Sequence, residues 1–353
     1  MRVDGELRDG FGVAVDVGTT SVVLALVDLS SGEIAARHSF FNPQRVFGGD
    51  VISRIHAANE GHLQEMQGLI AKALDDGIAK LCKTADLRGE CDIAETVIAG
   101  NTAMIHLLCG ISCEGLARYP FSAEAARDAQ FASKTIVPYL TPFIGGDIVS
   151  GLLYVMPFAP KNFLLVDLGT NGEMAFFNNG ALTTASAAAG SAFEQLSGGA
   201  SGAIAELARL IRSGEIDETG LFKACERDAT AKKIFSQKQV RDLQLAKSAI
   251  RSGIEILLDA ANKSPGKAAP EATYLAGGIG TAMCVKSAAE IGLIPPNLST
   301  SAVGNASLGG AIRLVLSPTR AREDLCKILK TPTEIVLAEH PLFEELFLEY
   351  MDF

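Results

Sequence analysis

The sequence predicts a two-lobed α/β protein with a duplicated strand–hairpin–strand core, one lobe over 1–161 and the other over 162–353. Three observations predict it. The stretch VDVGTTSVV, Val15–Val23, is echoed by VDLGTNGEM, Val166–Met174, about 150 residues later. In both, apolar residues run into an Asp, then an apolar residue, Gly and Thr, with a second apolar run following, so each reads as a tight turn between two strands. A third glycine turn, LAGGIG at 275–280, follows another strand-like run, and 353 residues are enough to bury two cores.

The elements follow in order. Residues 12–28 and 33–41 read as a hairpin turning at Ser31-Gly32. From Asp50, helical periodicity continues to about Cys82 and is broken near Gly61. AETVIAGNTAMIHLLCG reads as strand, polar turn and helix, with Asn101 or Thr102 as the helix N-cap. Residues 116–143 look irregular, and GGDIVSGLLYVM opens a short helix. The pattern then restarts: NFLLVDLGTNGEMAFFNNGALTTASAA is strand, turn, strand, Asn-Gly hairpin and strand. Helices are expected at 202–213 and 238–262. After them come a strand, the Gly-Gly turn and a helix through 272–295, and a small-residue helix in NASLGGAIRLVLS. A strand at Glu334–Ala338 and a closing amphipathic helix complete the chain. These last helices are open to crossing back to the first lobe.

Composition narrows the function. A net charge of -10 leaves nothing to offset phosphate repulsion from nucleic acid. No apolar run reaches the ~20 residues that span a bilayer, and the N-terminal residues have no leader profile, so a cytoplasmic location without a membrane partner is expected. The seven cysteines, Cys82, Cys91, Cys109, Cys113, Cys225, Cys284 and Cys326, are scattered with no C-x-x-C pair. Neither a disulfide framework nor an iron–sulfur cluster is expected in this chain. Cys109 and Cys113, like His106, read as core residues.

A glycine-rich turn between strands exposes backbone N–H groups as an anion-binding concavity, and Thr and Ser hydroxyls add donors. An Asp just before the turn is suited to Mg²⁺, directly or through its waters. Two such turns on facing lobes would clamp a polyphosphate and couple its state to hinge closure. No G-x-x-x-x-G-K-[ST] occurs and no G-x-G-x-x-G opens a helix, so P-loop and Rossmann sites are excluded.

The two Asp-x-Gly-Thr turns followed by the Gly-Gly turn resemble the superfamily of actin, sugar kinases and heat-shock-type ATPases, the ASKHA fold, with its nucleotide in an interlobe cleft. The resemblance implies that Asp16, Gly18, Thr19, Thr20 and Ser21 form the first phosphate element. Asp167, Gly169, Thr170, Asn171 and Gly172 then form the second, and Gly277 and Gly278, with Thr281 as a further candidate, form the adenosine turn. ATP and Mg²⁺ are the implied cofactors, with Asp16 and Asp167 toward the metal. Asp147 and Glu194 are the candidate catalytic carboxylates. Asp147 reads equally as a first-turn helix acid, and Glu194, after SAAAGSAF, as a ligand of a metal-bound water. Asn101 and Thr102 either face the cleft or simply cap their helix.

Six segments, in order, narrow the resemblance: FNPQRVFGGDVISRI, GNTAMIHLLCGI, FIGGDIVSGLL, LLVDLGTNGEM, SAAAGSAFE and LAEHPLFEELF. Together they are similar to the ATPase portion of reductive activators of corrinoid-dependent proteins. No chemistry obliges Asn42, Gln44, Arg45 or Asp50 in the first of them. The resemblance implies a Co(II) corrinoid protein as partner, reactivated to Co(I) for methyl transfer, and a homodimer. The iron–sulfur domain typical of such activators is not seen here, so the low-potential electron donor is expected to be separate, either a ferredoxin-like protein or a chemical donor. The other readings are a nucleotide-gated regulatory protein without a redox role, and a small-molecule kinase of the same fold.

Overall fold

A computed structural model describes residues 6–87, 93–123, 130–169, 171–193, 199–223, 235–263, 269–280, 283–330 and 332–353. The chain divides into two compact units: Met1–Phe158 with Ala306–Thr331, and Ala159–Asn305 with Pro332–Phe353.

The first unit is built on β1 (Phe11–Val17), β2 (Ser21–Asp28), β3 (Ile34–Phe41), β4 (Ile93–Gly100), β5 (Gln130–Phe131) and β6 (Lys134–Ile136), in the order β3-β2-β1-β4-β6-β5. β1 to β3 form an antiparallel meander, and β4 lies parallel to β1 on its other side. β1 is apolar from Phe11 to Val15, with Val13, Ala14 and Val15 fully buried, and only Asp16 near its end is charged. Val13, Val15 and Val17 join a core with Leu24 and Leu26 of β2, to which the helix Leu63–Thr84 adds Met66, Ile70, Leu74 and Leu81. The helix Ala306–Leu316 approaches β1 so closely that a Cβ on Gly12 would strike Val315. The same helix meets Gly146–Val155 without spacing side chains. A Cβ on Gly310 would run into the Ser150 carbonyl, and one on Gly309 into the Tyr154 ring. The break expected near Gly61 is a π-type turn at Ala58–His62, in which Gly61 has φ +106°.

The second unit repeats the plan with β7 (Asn162–Leu168), β8 (Gly172–Asn178), β9 (Ala181–Ala187), β10 (Ala272–Ala276), β11 (Thr300–Gly304) and β12 (Pro332–Ile335), in the order β11-β10-β7-β8-β9-β12. β7 to β9 form the meander and β10 runs parallel to β7. Asn179 and Gly180 both have positive φ, the two-residue turn that their sequence predicts. The helix Gln237–Lys263 buries Ile250, Ile254 and Leu257 in this core. Its Gln244, Lys247 and Ser248 side chains hold the backbone carbonyls of Met351, Asp352 and Phe347.

Three local readings shift. The last strand lies at Pro332–Ile335, because its register is set by pairing with Leu182–Ala185, and Leu337–Glu339 turns as a 3₁₀ helix instead. The closing helix is confined to Phe343–Glu349. After β10 the chain makes two short helices, Gly277–Gly280 and Val285–Glu290, where one was expected.

Candidate functional site

In the first unit the turn between β1 and β2 is closed by Gly18 N–H donating to the Ser21 carbonyl at 3.0 Å. A Cβ on Gly18 would lie 2.7 Å from that carbonyl, so this position needs glycine for space. Asp16, near the end of β1, pairs across to Val23 on β2 and to Ala99 on β4. Its Oδ1 accepts a hydrogen bond from the Ser307 hydroxyl at 2.7 Å.

The turn is held from outside by two asparagines. Asn42 is fully buried; its Nδ2 donates to the Gly18 carbonyl at 2.9 Å, and its backbone N–H donates to the Thr20 carbonyl at 3.0 Å. In a trans peptide the C=O and the following N–H point in opposite directions, so pinning the Gly18 carbonyl fixes the direction of the Thr19 N–H. Asn101 Nδ2 donates to the Thr19 hydroxyl at 3.2 Å, while its Oδ1 caps the helix Thr102–Cys109 by accepting from Met104 N–H at 2.9 Å. Because the Thr19 oxygen accepts, its own hydrogen is left for another acceptor. Asn101 is therefore the helix cap, and it contacts the first turn as well. Thr102 instead donates its hydroxyl to the Thr141 carbonyl at 2.7 Å.

Asp147 lies in the first turn of the helix Gly146–Val155, and its Oδ1 accepts from the Ile148 N–H at 2.9 Å. Part of its surface reaches solvent, but the carboxyl group is enclosed by protein atoms. Loss of hydration pushes its pKa up to about 7, with the neighbouring Asp16 charge adding in the same direction. The Asp16 charge and the loss of hydration therefore both disfavour ionisation of Asp147.

In the second unit the corresponding turn is one residue shorter between paired positions: Leu168 faces Gly172, whereas Val17 faces Val22. Gly169 N–H donates to the Asn171 carbonyl at 2.9 Å. Asp167 pairs with Glu173 on β8 and Ala276 on β10, the same place in the meander that Asp16 occupies in the first unit. Gly277 follows β10 with φ +83°, and a Cβ there would strike the Asp167 carboxylate and the Leu168 carbonyl. Gly278 faces open space, and a Cβ on Gly172 would lie 2.8 Å from Ile250. Thr170, Glu194 and Thr281 lie outside the described residues.

The structure therefore gathers Asp16, Gly18, Thr19, Thr20, Ser21 and Asp147 in one unit, and Asp167, Gly169, Asn171, Gly172, Gly277 and Gly278 in the other. To the first set it adds Asn42, which the sequence left without a role, and Ser307, which no motif marked. Among the described residues no group of three or more His, Cys, Asp or Glu could hold a metal ion.

A duplicated meander with an Asp-x-Gly turn at the same place in each copy, and a glycine turn after β10, defines the ASKHA class of the actin, sugar-kinase and heat-shock ATPase superfamily. Family models for the RACo middle region and for the C-terminal ASKHA domain of RACo match residues 11–156 and, in two overlapping stretches, 161–206 and 198–353. The chain is 31% identical, over 96% of its length, to the corrinoid activation enzyme RamQ of Eubacterium limosum, and spans 69% of that protein. A solved structure of a reductive activator for a corrinoid, iron–sulfur protein superposes with a TM-score of 0.84 at 28% identity, over 98% of this chain and 66% of that one. The chain belongs to the RACo family of corrinoid-protein reductive activators.

Proposed function

We propose that this chain is the ATP-binding, ATP-hydrolysing portion of an activator that returns an inactive corrinoid protein from Co(II) to Co(I), one electron coming from a separate low-potential donor. The observation that carries the reading is the repeated Asp-x-Gly turn, at the same position of a duplicated meander, in a chain so similar over its length to corrinoid activators. Because the chain spans about two thirds of those relatives, the activity is proposed and not assigned.

In this reading the Gly18–Ser21 and Gly169–Gly172 turns bind phosphates through backbone N–H groups and hydroxyls, and Asp16 and Asp167 face the nucleotide's Mg²⁺. Gly277 and Gly278 provide the adenosine turn. When bound with the nucleotide, Mg²⁺ would neutralise phosphate charge. Asp147, with a carboxyl that titrates near neutrality, is suited to take a proton from the attacking water and release it again. Binding of ATP changes affinity for the corrinoid partner only as far as the nucleotide binds two conformations differently.

The test mixes the protein with a Co(II) corrinoid partner, a low-potential reductant and Mg-ATP, and follows the Co(I) absorbance. An ATP-dependent gain in Co(I) is expected. The same yield with and without ATP, across plausible corrinoid partners, would reject the proposal. Size measurement in solution separates the homodimer expected from the resemblance from a monomer.

A further inference from the structure

Arg54, in the helix Val51–Ala57, is fully buried. Its Nε donates to the Gly48 carbonyl at 2.9 Å and its Nη1 approaches Met104 Sδ at 3.4 Å. Nη2 is buried without a partner, and Arg54 forms no ion pair among the described residues. Asp50, the acid that bears on it, is exposed and directs its two oxygens to the Ser53 N–H and hydroxyl. A guanidinium stays charged at neutral pH, and burying one without a counter-charge costs several kcal/mol. A fold that keeps such a group usually has a negative charge for it to face.

Its surroundings locate where that charge would be. Met104 Sδ, touched by Arg54, also meets Asn42 Nδ2 at 3.6 Å, and that same Nδ2 donates to the Gly18 carbonyl at 2.9 Å. These contacts share atoms, so at most about 10 Å separates the guanidinium from the first turn. Nothing between them is ionised; the path is a thioether and an amide. Across such a medium, with an effective dielectric near 20, a unit charge at about 10 Å is favoured roughly tenfold.

We propose that Arg54 is an electrostatic positioning residue for the first turn: its buried, unpaired charge, set one layer behind Asn42, selects ligands by the number of negative charges they place at Gly18–Thr20. This rests on the reading of that turn as a phosphate site. Arg54 touches no ligand. It acts through the field at the turn, as Asn42 acts through the turn's geometry.

The test is isothermal titration of the whole chain with ATP, ADP and adenosine, together with the melting temperature of the ligand-free protein. Arg54→Met should weaken ATP about tenfold, ADP less and adenosine less than twofold, while Arg54→Lys keeps the wild-type ratios. Met104→Glu, which sets a carboxylate against the guanidinium, should reproduce the graded loss with Arg54 still in place, and it decides the matter if Arg54→Met does not fold. Equal loss for all three ligands would reduce Arg54 to a packing residue, and wild-type ATP affinity in either variant would overturn the proposal outright. If the wild-type protein itself binds ATP no better than adenosine, the phosphate reading of the turn fails instead, which is a separate result.

Discussion

The two Asp-x-Gly turns occupy equivalent places in their units, yet they are held in different ways. The first is braced by side chains from distant segments: Asn42 on the Gly18 carbonyl, Asn101 on Thr19 and Ser307 on Asp16. The second is shorter, and among the described residues what marks it is close approach at its glycines, Gly277 against Asp167 and Gly172 against Ile250. The difference teaches that a repeated motif need not repeat its support. The first turn should fail when a polar side chain is removed, as well as when a methyl group is added at Gly18. The second should fail when a methyl group is added at Gly277 or Gly172.

The largest effect is expected at Gly277. Alanine there would take a strained positive φ and drive its Cβ into the Asp167 carboxylate. Gly277→Ala should abolish detectable ATP binding and cost about 2–3 kcal/mol of stability, read by calorimetry and urea unfolding. Retained binding would show that the second turn does not depend on that close approach. Gly278→Ala, in open space, is the control for stability, which it should leave near wild type.

Next is Asn42→Ala, which removes a fully buried donor and leaves the Gly18 carbonyl without its side-chain partner. A cost of about 1–3 kcal/mol in stability, together with weaker ATP binding, is expected. Loss of stability with unchanged affinity for ATP would confine Asn42 to the core.

A smaller effect separates turn contact from capping at Asn101. Serine caps a helix about as well as asparagine but is too short to reach Thr19. Asn101→Ser should leave the melting temperature within a degree or two and weaken ATP severalfold. Combined with Thr19→Val it should add little further loss, because both changes remove one interaction. Independent, multiplying losses would contradict the contact.

The last effect, seen only as a change with pH, is the one that Asp147 confers. Its folded pKa, about 7, lies above the ordinary aspartate value, so between those pH values the folded chain holds a proton that the unfolded chain has lost. The stabilisation from that proton is complete below the unfolded pKa and is lost as pH rises through about 7. Asp147→Asn should therefore gain stability over wild type on going from pH 5 to pH 8, on the order of 1–2 kcal/mol by urea unfolding. A constant difference across that range would mean the carboxyl ionises normally.

Much of this was legible in the sequence where the signal is local. The Asp-x-Gly turns, the Asn179-Gly180 hairpin, the interruption at Gly61 and the capping at Asn101 all depend on residues within a few positions of one another. What escaped depends on separation along the chain. Asn42 finds Gly18 across 24 positions, and Ser307 finds Asp16 across 291. Burial of Arg54 follows from packing against Met104, which no periodicity announces. The last strand was misplaced because pairing with β9, and not its own composition, sets its register.

The proposed function requires the Asp-x-Gly turn of each unit to take part in nucleotide binding. The most direct measurement is the stability of the whole chain with and without Mg-ATP, for wild type, Asp16→Ala and Asp167→Ala. At about 100-fold excess over Kd, binding should add about 2.7 kcal/mol to wild type, and each single variant should lose that gain. No stabilisation of wild type, or full stabilisation of either variant, would contradict the account.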